Sequence, residues 1–89
     1  MVYMVMYQLN RPGKDYTNLY GALRQYDYIR DNSLNSVWFI STMWTAAQVY
    51  DHLRHYLDIT DRIVITQLRT GEHQGWANRD IWTWVNSRI

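Results

Sequence analysis

The spacing of hydrophobic and polar positions changes several times along the chain, and each change marks an element. Val2-Tyr3-Met4-Val5-Met6-Tyr7 is a run of strand formers. Asn10-Arg11-Pro12-Gly13-Lys14, holding the only proline, follows it as a turn. Leu19, Ala22, Leu23 and Tyr26 then recur at three-four spacing, the inner face of a helix that Asp15 is placed to cap. Tyr26 to Arg30 alternates weakly as a short strand, Asn32 to Asn35 is a turn, and Ser36 to Thr42 is a strand. Thr45 stands at the start of a second helix, with Ala46, Val49, Tyr50, Leu53 and Tyr56 or Leu57 as its apolar stripe. Arg62 to Leu68 is a further strand and Thr70 to Gly75 a loop. Asn78 is placed to cap a last helix bearing Ile81, Trp82, Trp84 and Val85.

This β-α-β-β-α-β order with a helical tail predicts an α+β fold, a ferredoxin-like βαββαβ sandwich in a single domain over residues 1–89. Right-handed crossovers put the first two helices on one face of the sheet. The other face is apolar as well. Val2, Met4 and Met6 oppose Tyr3, Val5, Tyr7 and Leu9 across the first strand. Val37 and Phe39 oppose Trp38 and Ile40 in the third, and Ile63 and Ile65 oppose Val64 and Leu68 in the fourth. Two helices bury one face only, so the second needs the Trp-bearing tail or a second copy of the chain. A homodimer with the tail contributing is the expected solution, its interface drawn from Tyr3, Val5, Tyr7, Trp38, Val64 and Trp82.

Composition adds weight to the idea of a partner. Of 89 residues, 14 are aromatic, eight of them Tyr and five Trp, the types favoured where a surface is half buried and half wet. The net charge of +1 excludes a strongly basic nucleic-acid coat and an acidic disordered tail. Its distribution is less even, at +2 over residues 1–30, −3 over 31–61 and +2 over 62–89. The first and fourth strands are neighbours in the expected sheet. Arg11, Lys14, Arg62 and Arg69 therefore form a candidate phosphate-binding patch for DNA or RNA. With no cysteine there is no disulfide, thiol nucleophile or Cys-held zinc, and no stretch is long enough to span a membrane. No signal-peptide pattern is present, so the expected setting is the cytoplasm.

Catalytic signatures are absent from the sequence. His52 and His55, spaced i, i+3, read as a solvated helix face rather than a zinc motif. His73 beside Glu72 reads as part of a polar loop. Gly13-Lys14 lacks the upstream glycine of a phosphate loop, and no serine has a nucleophile's context.

Several segments resemble a known family. Tyr7-Gln8-Leu9-Asn10-Arg11-Pro12-Gly13-Lys14-Asp15-Tyr16, Ser36-Val37-Trp38-Phe39-Ile40, Leu57-Asp58-Ile59-Thr60-Asp61-Arg62 and Thr70-Gly71 through Gly75-Trp76 occur in that order. Together they resemble small SinR-family proteins, relatives of the CRISPR-associated adaptation endoribonucleases. That resemblance implies a ferredoxin-like protomer, a symmetric dimer serving as a nucleic-acid scaffold, and in some members a metal-dependent nuclease. The family nuclease uses an aspartate at the end of the first strand, and Gln8 stands there in this chain. A neutral amide offers no anionic oxygen for Mg²⁺ and cannot act as a base, and Asn10 offers only a carbonyl oxygen. The expectation is a non-catalytic, homodimeric nucleic-acid-binding or scaffold protein without a cofactor. Alternatives are a Mg²⁺-dependent nuclease and a protein-interaction adaptor or inhibitor using the aromatic surface.

Overall fold

The tyrosines of the first strand decide which face of the sheet becomes the main core. In a computed structural model describing residues 1–89, that strand, β1 (Val2–Gln8), runs through the middle of a four-stranded sheet. The remaining elements are α1 (Thr17–Leu23), β2 (Asp27–Ile29), β3 (Val37–Ser41), α2 (Ala46–Leu53), β4 (Arg62–Leu68) and α3 (Arg79–Arg88). A single 3₁₀ turn, Arg54–Tyr56, continues from α2. The strand order is β2-β3-β1-β4 with every neighbouring pair antiparallel. The element order expected from the sequence is the one observed, with β2 and β3 each trimmed at both ends. No helix is long and apolar enough to cross a membrane.

Local chemistry accounts for the boundaries. The Pro12-Gly13 turn needs Gly13 at φ +80°, a conformation that side-chain-bearing residues rarely adopt, and Lys14 N–H closes it on the Arg11 carbonyl. The Asp15 carboxylate accepts from the Thr17 backbone N–H at 2.9 Å and from the Thr17 hydroxyl, so it caps α1 from one residue before the N-cap position, which Tyr16 occupies. Thr45 and Gln48 form a reciprocal capping box on α2, and the Asn78 side chain accepts from Asp80 N–H at the start of α3.

Register places the odd positions of β1 toward α1 and α2. Val5 lies opposite Trp38 in β3 and Ile65 in β4, and Tyr3 lies opposite Ile40. Tyr3, Val5, Tyr7, Trp38 and Ile40 pack with Leu19, Ala22 and Leu23 of α1 and with Val49 and Leu53 of α2. Tyr50, expected on the inner stripe of α2, instead points outward.

The second face is covered within the protomer by α3. Ile81 and Val85 bury themselves against Val2 and Phe39, flanked by Met4, Ile29, Val37 and Leu68. Two polar ties hold the helix there. The buried Asp31 carboxylate accepts from Asn78 N–H at 2.8 Å and from the backbone and hydroxyl of Ser33. At the other end, the Arg88 guanidinium grips Asp27 of β2 at 2.7 Å and lies over the Trp84 ring.

This arrangement corrects the expected dimer interface. Tyr3, Val5, Tyr7 and Trp38 are at most 5% exposed within one protomer, so they belong to its own core and offer nothing to a second copy. Trp38 Nε1–H donates to the Tyr7 hydroxyl at 3.0 Å, and the Arg30 guanidinium lies 4.2 Å from the Trp38 ring centre. Burial pushes the Tyr7 pKa up. Of the six expected interface residues, only Val64 and Trp82 keep substantial surface. Val64, with Met6 opposite it, forms a corner of the second face, exposed at 53% and 43%.

Candidate nucleic-acid interface

The end of the sheet where β1 finishes and β4 begins is organised around one buried carboxylate. Asp61, 7% exposed, accepts from Asn10 N–H at 2.7 Å, Asp58 N–H at 2.7 Å and the Tyr16 hydroxyl at 2.7 Å. Burial raises its pKa, but these donors outweigh that effect and hold the carboxyl below its ordinary value. Asn10 adds a second tie, its side-chain amide donating to the Thr60 carbonyl at 2.9 Å. The turn after β1 is thereby fixed against the turn before β4. Only the Asp58 N–H is local to Asp61; the Asn10 and Tyr16 donors come from the far end of the chain, so local spacing does not announce the full role.

Three of the four basic residues singled out in the sequence meet on this scaffold. Arg11 pairs with Asp58 at 2.6 Å, and that hydrogen bond, helped by Thr60 N–H, lowers the Asp58 pKa. Lys14 Nζ donates to the Tyr56 carbonyl and sits 5.0 Å from the Tyr16 ring centre. Arg62 donates to the carbonyls of Ile59 and Asp61 through one nitrogen. Arg69 does not join them. It follows the far end of β4, about 20 Å away at the ordinary rise of a strand, and the expected four-residue patch is corrected to three.

The sequence reading missed Arg54. The crossover from α2 lays the 3₁₀ turn beside the start of β4, bringing Tyr50, Arg54 and His55 next to Arg62. Together with Leu57, Asp58, Ile59, Asp61 and Ile63 they line a groove of about 600 Å³. As the only base among residues 31–61, Arg54 is hidden by the acidic balance of that segment. Arg11, Lys14, Arg54 and Arg62 face Asp51, Asp58 and Asp61 in this region, so its charge is weakly positive. A phosphate here competes with Asp58 for Arg11 and with the more distant Asp51, at 3.7 Å, for Arg54.

The position that matters for metal chemistry lies at the same end. Gln8 is exposed at the last residue of β1, directly opposite Arg62. A cation beside that position meets a guanidinium and no carboxylate, so these residues do not fit a Mg²⁺ ion. Nowhere do three His, Asp or Glu side chains gather as a metal site.

One histidine departs from its expected setting. His52 is not on a solvated face. It shares a 2.6 Å hydrogen bond with the Tyr26 hydroxyl and meets Trp44 and Tyr56 edge-on at 5.8 and 5.9 Å. Burial raises the Tyr26 pKa within this aromatic cluster. His55 is exposed beside the basic groove. His73 is tied into its loop, with Nδ1–H donating to the Arg69 carbonyl at 2.8 Å and its ring stacked on Trp82 at 5.8 Å and 19°.

No protein-family model matches the chain, and no solved structure matches it significantly.

Proposed function

We propose that this chain is a ferredoxin-like, non-catalytic nucleic-acid-binding or scaffold protein that works as a homodimer. The observation that carries this reading is the pair Arg54 and Arg62 lining one groove, with Arg11 held at its edge by the groove's Asp58 and Lys14 on the adjoining turn. Guanidinium forks suit phosphate oxygens, and Tyr50 on the groove wall adds a ring for stacking. The βαββαβ order and the β2-β3-β1-β4 sheet support the ferredoxin-like assignment and are compatible with SinR-family kinship. Gln8 opposite Arg62 favours binding over metal-dependent cleavage.

Support for the dimer comes from β4. It is an edge strand, and Ile63 to Leu68 carries no charge and no proline, the features that commonly block strand pairing. The Met6 and Val64 corner lies on the same edge. Sedimentation at micromolar concentration should give twice the protomer mass. A protomer mass removes the dimer from the proposal.

Fluorescence anisotropy with labelled DNA and RNA oligonucleotides at 50 mM salt tests the binding. Arg54→Ala and Arg62→Ala should each weaken it roughly three- to tenfold, the effect of losing one or two charge-assisted contacts. Absence of binding, or binding indifferent to both substitutions, refutes the site.

A further inference from the structure

Away from the basic groove, the loop after β4 and the outer side of α3 enclose a second, chemically different cleft. A cavity of about 310 Å³ is lined by Thr70, Gly71, His73, Gln74, Gly75, Trp82 and Asn86. It adjoins another of about 660 Å³ that shares Gln74, Gly75, Trp82 and Asn86 and adds Trp76 and Arg79 to its wall. Trp82 lies at the junction of the two, half-buried, with His73 stacked on it. Gly75 lets the loop backbone approach that indole. A Cβ there would stand 3.2 Å from Trp82 Cζ2, so a larger residue requires the ring or the loop to give way by a few tenths of an ångström. At the rim, Trp76 is fully exposed and buries none of its indole within the protomer.

We infer that this cleft is a binding site for an unpaired nucleobase of a single strand, stacked on the Trp82–His73 pair and covered by Trp76. Four properties favour a base. The ring surface is flat and aromatic, which suits a π-face of any base. Gln74 and Asn86 bring exposed carboxamides that can donate and accept along a base edge. With Nδ1–H committed to the Arg69 carbonyl, Nε2 is the His73 ring nitrogen left to meet a polar group of a base. Arg79 on the outer wall can meet the phosphate that accompanies the base. This inference rests on the nucleic-acid reading above but uses separate residues, and it extends the ligand to unpaired strands with their bases exposed.

The two sites separate in one experiment. Anisotropy at 200 mM salt compares an oligothymidylate with an abasic strand carrying the same number of phosphates. Stacking is insensitive to salt, so the base-containing strand should bind roughly tenfold tighter. Trp76→Ala, which alters a fully exposed residue and leaves the core intact, should abolish that preference, and so should Gly75→Val. Equal affinity for both strands, with both weakened by Arg62→Ala, overturns the base site and leaves the basic groove standing. A neutral oligosaccharide that displaces the oligothymidylate overturns it in favour of a sugar site. If neither strand binds even at 50 mM salt, thymidine 5′-monophosphate is titrated while the indole N–H resonances of Trp76 and Trp82 are followed by NMR. Saturable shifts of both sustain the cleft as a base site, and unmoved resonances overturn it.

Discussion

Asp61 shows how a single side chain can order an end of the molecule. Its carboxylate gathers Asn10 N–H, Asp58 N–H and Tyr16 OH, joining the turn after β1, the start of α1 and the turn before β4. Asp61→Asn keeps the shape but turns one acceptor oxygen into a donor that faces other donors. We expect it to lower stability by about 1–3 kcal/mol in urea unfolding. The pH dependence follows from the same contacts. Asp31, Asp58 and Asp61 all have folded-state pKa values below the ordinary 3.8. Their stabilising contribution is therefore present above that value and is lost as pH falls through the folded values. The urea midpoint should hold near neutrality and drop below about pH 4, less steeply in Asp61→Asn. A midpoint that falls in parallel for both proteins removes Asp61 from this role. None of this was legible beforehand, since Asn10 and Tyr16 lie some 50 residues from Asp61 in sequence and local spacing carries no trace of so distant a contact.

At the scale of elements, the sequence was informative wherever the cause was local. Thr45 with Gln48 and Asn78 with Asp80 cap their helices as their residue types suggest, and Arg62–Leu68 forms the strand its β-branched residues favour. The partner of each sheet face was not legible, because both faces of β1 are apolar and periodicity cannot tell helix from second copy. The length of the 69–78 segment and the Asp31 tie to Asn78 settle it by bringing α3 back under the sheet. Ile81 is the centre of that contact. Ile81→Ala should cost about 2–4 kcal/mol in chemical unfolding, with new exposure of the Val2–Phe39 surface detectable by dye binding. A loss below about 0.5 kcal/mol, the range of an ordinary surface substitution, contradicts the packing of α3.

At the scale of the whole molecule, a nearly neutral chain separates its charged and aromatic surfaces. Arg11, Lys14, Arg54 and Arg62 stand at one end of the β1–β4 pair. The Trp76–Trp82 cleft is built on the segments that follow the other end. Much of the aromatic surplus turns inward. Tyr3, Tyr7 and Trp38 fill the core, Tyr16 holds Asp61, and Tyr26 and Tyr56 pack against His52 beneath a partly exposed Trp44. Trp76 is left outside with nothing of its own to cover, which a composition figure alone could not reveal. Binding of nucleic-acid phosphates at the basic end is the core of the proposed function. Its most direct test is the salt dependence of oligonucleotide affinity between 50 and 200 mM for the native chain and Arg62→Ala. About three or four phosphate contacts predict a log–log slope near −3, which Arg62→Ala should make shallower by about one. A native slope near zero, or one that Arg62→Ala leaves unchanged, contradicts the claim.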